Sequence, residues 1–145
     1  MRRWQVAKGG SYILGRDLLR KALDKLPVIA KQKLQVALTA EANGLADLMR
    51  ARVPVKDGTL RASIRVEPRK QAGLIGALIK AGGPTTTKPV RKGQSATYDY
   101  AMAQELGTQE MLANPFFFPS YRQKKTSIKR RASKAVRDAV GEITK

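Results

Sequence analysis

Between Leu34 and Val53 the apolar residues Leu34, Leu38, Ala42, Leu45, Met49 and Val53 recur at intervals of 4, 4, 3, 4 and 4. That spacing lays them on one stripe of a helix, and a helix with a single apolar stripe must find something to pack against. Pro54 and the Asp57-Gly58 turn then stop the pattern. Beyond them the period changes from helix to strand: Ile64 and Val66 alternate with Arg65 and Glu67. A long amphipathic helix over Val28–Arg52 followed by strands predicts an α+β fold. Lys33, Gln35, Thr39, Asn43 and Arg50 fall off the stripe and are expected in water. Gly44 costs the helix about 1 kcal/mol relative to alanine, and it is read as marking a close packing contact.

The remaining elements follow from the same rules. Met1 to Gly10 reads as a loose arm with Gly9-Gly10 as a hinge and Trp4 as its only large apolar group. Gly15 to Leu26 reads as a short helix on the spacing of Leu18, Leu19, Ala22, Leu23 and Leu26, ended by Pro27. Pro68 and Gly73 frame a turn into Leu74–Ala81, which is apolar on both alternating faces, as a strand covered on each side would be. The two strands form a hairpin on the long helix. Two strands alone are marginal, so further pairing is required from the flanking loop or from a neighbouring subunit. Gly82 to Thr97 lacks core periodicity and reads as a mobile basic arm or an extended hairpin. Asp99–Leu106 is a short helix stopped by Gly107. Phe116, Phe117 and Phe118, if extended, alternate sides, so at least one meets another element, an interface rather than a loop tucked wholly under the two helices. Pro119 sits in the first turn of a last helix. That helix runs to about Ile143, with Ile128, Ala132, Ala135, Val136, Ala139 and Ile143 on one face and Lys129, Arg130, Lys134, Arg137 and Lys145 elsewhere. The expected architecture is one domain, residues 1–145: a long N-terminal and a C-terminal helix packed on a small antiparallel sheet. The arm (1–10) and the loop (82–97) are expected to be mobile.

Charge and missing residue types narrow the function. The 145 residues carry 29 Lys+Arg against 11 Asp+Glu, net +18, and from Pro119 onward the balance is nine basic to two acidic. Such an excess favours a polyanionic or acidic partner. Cysteine and histidine are absent, which excludes disulfides, thiolate or imidazole zinc sites and every histidine triad. The acids are scattered, Ser63 has no nearby base, and Gly82-Gly83 lacks the Lys-Ser/Thr of a phosphate-binding loop. No catalytic, metal or cofactor site is predicted, so the expected protein is not an enzyme and needs no cofactor. The N-terminus has no apolar region after its arginines, and no stretch approaches the ~20 apolar residues of a membrane span, so a soluble cytosolic product is expected.

Two segments carry a more specific signal. VPVKDGTLRASI, Val53 to Ile64, joins a helix stop and a tight turn to two apolar anchors, Leu60 and Ile64. YDYAMAQELGTQEMLANPFFFPSY, Tyr98 to Tyr121, runs a short helix into Gly107-Thr108 and then into Pro115, three phenylalanines and Pro119. In this order they resemble the head-to-tail joining (tail-completion) proteins of long-tailed bacteriophages and gene transfer agents. That family's first signature is matched by Pro54, Val55, Gly58, Leu60, Ser63 and Ile64, and its second by Tyr100, Ala101, Glu105, Gly107, Thr108, Pro115, Phe116 and Pro119. Asp57 departs where threonine is usual, and Thr59 where a basic residue is common. The resemblance covers about Leu18 to Val140.

What the resemblance implies is a structural virion protein, a minor tail or neck component assembled in the bacterial host cytoplasm. It would form a homo-oligomeric ring, six-fold by family, that joins or completes the tail around the DNA channel. Its partners would be other neck, portal-side connector and tail-tube or tail-terminator proteins, with no membrane partner. The motif residues other than Val55, with Phe117, are the candidate subunit interface. The Asp57-Gly58-Thr59 turn is first a structural turn, and by resemblance it positions the strand that lines or edges the ring. Glu105 is either a partner for an arginine of the next subunit or an exposed acid of little worth. Arg91, Lys92, Lys124, Lys125, Lys129, Arg130 and Arg131 are candidate contacts to DNA backbone or to an acidic protein surface. Any DNA contact should be sequence-independent and salt-sensitive, since no aromatic platform interleaves the cations. The alternative is a basic, sequence-independent nucleic-acid-binding protein. That reading explains the charge but leaves the two motifs without a role.

Overall fold

The computed structural model describes Asp17, Arg20, Lys21 and residues 23–69 and 74–142. In chain order the elements complete among the described residues are helix α1 (Val28–Arg52), a helical turn α2 (Thr59–Ser63), strands β1 (Arg65–Pro68) and β2 (Ala77–Lys80), a 3-10 turn (Pro84–Thr86), strands β3 (Thr87–Pro89) and β4 (Thr97–Asp99), helix α3 (Tyr100–Leu106) and helix α4 (Phe117–Gly141). The α+β expectation holds: a long N-terminal and a C-terminal helix with small antiparallel sheets. The expectations for Met1–Gly10, Leu18, Leu19, Ala22, Gly73, Ile143 and Lys145 lie outside the described residues.

The helices α1 and α4, each of 25 residues and so roughly 37 Å long, run antiparallel. Lys33 pairs with Glu142 at 3.1 Å at one end, Glu41 with Arg131 at 3.2 Å midway, and Arg52 donates to Gln123 at the other. Exposed pairs of this kind are worth about 0–1 kcal/mol each. The packing comes from two apolar clusters. One joins Leu45, Ala46 and Met49 of α1, and Val53 just past its end, to Leu60, Ile64, Ala101 and Phe116. The other joins Leu26, Ala30 and Leu34 to Ala139, with Leu38, Ala135 and Val136 against it. The predicted stripes of both helices are therefore the packed faces.

Strands β1 and β2 pair in register Arg65↔Lys80, Val66↔Ile79, Glu67↔Leu78 and Pro68↔Ala77, and Val66 and Ile79 face the first cluster. Strands β3 and β4 form a second hairpin, Thr87↔Asp99 to Pro89↔Thr97. Of the two forms expected for Gly82–Thr97, the structure takes the hairpin.

Several local expectations are corrected. Thr59–Ser63 is helical, so Leu60 and Ile64 reach the core on a helical spacing of four and the strand begins only at Arg65. Leu74–Ala81 is not a strand covered on both faces: it pairs only from Ala77, and Leu78 is 41% exposed. Gln35 turns inward, its amide accepting from the Gly76 N–H at 3.1 Å and donating to the Gly76 carbonyl at 2.7 Å. Arg50 likewise bonds the Ile64 carbonyl at 2.7 Å. Gly44 faces open space rather than a close contact. The phenylalanines are not extended, because α4 starts at Phe117.

Candidate functional site

The fold brings the two motif segments together. Leu60 and Ile64 of the first and Ala101 and Phe116 of the second share one buried cluster, with Phe116 only 1% exposed. Half-buried Pro54 and the left-handed Gly58 (φ 79°) shape the turn from α1 into α2. The Asp57 carboxylate accepts the Thr59 N–H at 3.0 Å. This bond, more than the neighbouring threonine hydroxyl or Lys88, holds the Asp57 carboxyl below its usual value. An aspartate can therefore replace the more usual threonine of the motif as a turn acceptor.

Ser63 is buried and bridges two elements: its hydroxyl donates to the Leu60 carbonyl at 2.7 Å and accepts the Gly82 N–H at 2.9 Å. Gly82 has φ 86°, and a Cβ there would press into the Asp99 carboxylate and lie 2.9 Å from Ala101 Cβ. Only glycine fits that approach. Asp99 in turn accepts from Ala101 N–H at 2.8 Å as the N-cap of α3, from the Thr86 hydroxyl at 2.8 Å and from Gly83 N–H at 3.1 Å. One carboxylate thus ties the 3-10 turn to α3.

Glu105 does the same for α4. Its carboxylate accepts the backbone N–H groups of Phe116, Phe117 and Phe118 at 2.8, 2.9 and 2.9 Å. These are the amides that a helix start leaves without partners, and the negative charge also suits the positive end of the α4 dipole. No residue adjacent to α4 caps it, so the cap comes from α3. Glu105 is therefore half-buried and structural within the subunit, which corrects the reading of an exposed acid of little worth. Between α3 and α4, Gly107 (φ 79°) donates to the Ala103 carbonyl. The Thr108 hydroxyl accepts from Met111 N–H at 3.0 Å, and Asn114 N–H returns to the Gln104 carbonyl at 2.9 Å. The loop ending at exposed Pro115 is thereby folded back to place Glu105 under the amides. Tyr100 is half-buried, its hydroxyl 3.1 Å from Gln104 Oε1, and Pro119 lies in the first turn of α4.

Beside this junction lies an open groove of about 490 Å³. Ile79, Ala81, Met102, Leu106, Phe117 and Phe118 supply its apolar lining. Met102, Leu106 and Phe118 are 65%, 66% and 52% exposed, a contiguous apolar surface of the kind that marks association sites. Phe116 packs edge-on to Phe117, and Phe117 to Phe118, carrying the aromatic run from core to surface. Sequence reasoning missed Gly82, Asp99 and Met102. An acid at the first position of a predicted helix is a capping signal, and it would have found Asp99.

The candidate basic contacts lie elsewhere. Arg91 and Lys92 are exposed at the tip of the β3–β4 hairpin. On α4, Lys125, Lys129 and Arg130 are exposed, Lys124 is half-buried, and Arg131 is paired with Glu41. By helical geometry Arg130, Lys134 and Arg137 share the face opposite the packed stripe, with Arg122 and Lys129 on its flank. Among the described residues none of these five is ion-paired. Nor, among the described residues, is any group of acids, Cys or His placed to hold a metal, and no helix is long and apolar enough to cross a membrane.

Residues 17–107, more than half of the chain, match the family model described as Bacteriophage HK97-gp10, tail-component. The chain belongs to the HK97-gp10-like family. It is a structural phage protein of a tail-component family and its place is the virion. The matched span contains the whole first motif and the second as far as Gly107, so the capping carboxylate lies inside it and the capped amides outside it. Searches of curated proteins and of solved structures found no match.

Proposed function

We propose that this family member forms a closed homo-oligomeric ring at the head–tail junction of a tailed phage or gene transfer agent, joining or completing the tail around the DNA channel. The resemblance implies six subunits, assembled in the host cytoplasm and abutting portal-side connector, tail-tube or tail-terminator proteins. The observation that carries the reading is the convergence of both motifs on one junction, bordered by exposed Met102, Leu106 and Phe118. Residues whose pattern marks the family thus build a rigid platform beside an uncovered apolar surface, which suits docking rather than turnover. Gold labelling of the chain in purified particles should mark the neck, and particles made without it should accumulate as separate filled heads and tails. A label at the distal tail tip, or normal joining without the chain, overturns the proposal.

The cations on the outer face of α4 support a second reading, binding of duplex DNA by the isolated subunit through phosphates alone. Neutralising several of them would then lower both affinity and its salt dependence, by about one unit of slope for each phosphate no longer neutralised. Absence of DNA binding by the free subunit at physiological salt leaves the ring reading alone.

A further inference from the structure

Each of the two hairpins among the described residues has one strand edge closed by proline and one left open. In the first hairpin Arg69 N–H donates to the Gly76 carbonyl at 3.0 Å, which sets the phase of the ladder. Glu67↔Leu78 and Arg65↔Lys80 are then the hydrogen-bonded pairs, while Val66, Pro68, Ala77 and Ile79 direct their backbone groups outward. Pro68 has no N–H to offer, so the outer edge of β1 is blunted. The outer edge of β2 is not. In the second hairpin Val90 N–H donates to the Ala96 carbonyl at 2.8 Å, so Pro89 and Thr97 point outward. Pro89 blunts β3. Thr97 directs its N–H and carbonyl, and Asp99 its N–H, to the open side of β4.

The open edge of β2 also has a place for a visitor. Consecutive residues from Gly76 to Gly83 border two adjoining hollows, of about 340 and 490 Å³, which share Ile79 and Phe117. Lining by consecutive residues rather than alternate ones marks a strand edge rather than a face. Facing it are apolar side chains, Phe117, Tyr121 and Ile128 along one hollow and Met102, Leu106 and Phe118 along the other, with Glu41 bordering the first and Asp99 and Glu105 the second. The β3–β4 hairpin is exposed along both strands, and Val90 and Tyr98 stand 54% and 38% exposed on it. Two-stranded sheets are marginal alone, and both would gain from merging.

We propose that the open edge of β4 in one copy adds to the open edge of β2 in the next, forming a four-stranded sheet across the subunit boundary with Tyr98 and Val90 directed to the apolar trough. The two edges are different, so the contact is heterologous, and its repetition closes a ring where the rotation between neighbours closes, as the ring reading requires. The inference rests on the ring reading above and supplies its docking mode.

The chain has no cysteine, so engineered thiols report without background. A variant carrying Ala77→Cys and Thr97→Cys, treated with a short thiol–thiol crosslinker, should give a ladder of covalent multimers in assembled particles and in concentrated purified protein. Either cysteine alone should give no ladder. Ala77→Pro or Thr97→Pro removes an outward N–H and breaks no hydrogen bond within the hairpin, and proline is compatible with extended backbone. Each should keep the far-UV circular dichroism of the parent and lower the oligomeric fraction in sedimentation velocity at least tenfold. Assembled rings with no 77–97 crosslink overturn the strand pairing and leave the ring intact. Multimers from Ala77→Cys alone indicate a two-fold contact and overturn it too, as does an unbroken monomer in both settings. Crosslinked multimers that never enter the particle overturn the virion ring and leave the strand pairing standing.

Discussion

The Glu105 carboxylate accepts the Phe116 N–H at 2.8 Å across eleven residues of chain, and with it the N–H groups of Phe117 and Phe118. One side chain on a seven-residue helix thereby starts a 25-residue one. Glu105→Ala leaves three amides without their acceptor and should cost roughly 1–3 kcal/mol in urea unfolding. Glu105→Gln, which keeps an acceptor oxygen but loses the charge, should cost less. A loss below about 0.5 kcal/mol for the alanine variant would show that water replaces the cap.

Gly82 and Gly44 should respond to alanine in opposite directions. At Gly82 the methyl meets the Asp99 carboxylate at a positive φ, so Gly82→Ala should destabilise by about 1–3 kcal/mol. Gly44 lies in α1 with nothing within 4 Å of where a methyl group would stand, so Gly44→Ala should stabilise by about 0.5–1 kcal/mol. Thermal unfolding of the two variants beside the parent decides it. Equal shifts of the same sign would contradict the packing described.

Neighbouring phenylalanines should separate stability from association. Phe116→Ala opens the buried cluster and should cost about 3–5 kcal/mol. Phe118→Ser, at a side chain 52% exposed, should change stability by no more than about 0.5 kcal/mol. The same variant should weaken self-association in sedimentation velocity if the groove is a docking surface. Unchanged association would remove Phe118 from that surface.

The acid limb of the stability profile has named contributors. Asp57 is held below its ordinary value of 3.8 chiefly by the Thr59 amide, and Glu67 below 4.5 chiefly by Lys80 and then Arg65. A carboxyl whose folded value is depressed stabilises fully above its unfolded value and loses that contribution as pH falls through the lower folded value. With no histidine, stability should be level from about pH 7 to about pH 5 and fall below about 4.5. Calorimetry on Asp57→Asn and Glu67→Gln should show a shallower fall on the acid side than in the parent. An identical acid limb would assign the loss to other carboxylates.

Elements whose cause is local were legible in the chain. The stripes of α1 and α4, the stop at Pro54, the Asp57-Gly58 turn, Gly107 at the end of α3 and Pro119 in the first turn of α4 all stand where spacing and turn chemistry put them. Long-range partners were not. Gln35 lies off the apolar stripe, yet it hooks Gly76 because that backbone emerges from the sheet beside it. Glu105 looked like a surface acid because its three donors lie beyond a loop whose return path no periodicity encodes.

What the linear chain determined by itself is the set of amphipathic segments, their boundaries and the family to which its motifs point, because period, proline and glycine act over a few residues. Tertiary structure alone decided which carboxylates became caps, which glycine had to stay bare and which strand edges stayed open. Those outcomes depend on groups far apart in the chain meeting at hydrogen-bonding distance, where a buried donor or acceptor must find a partner or cost stability.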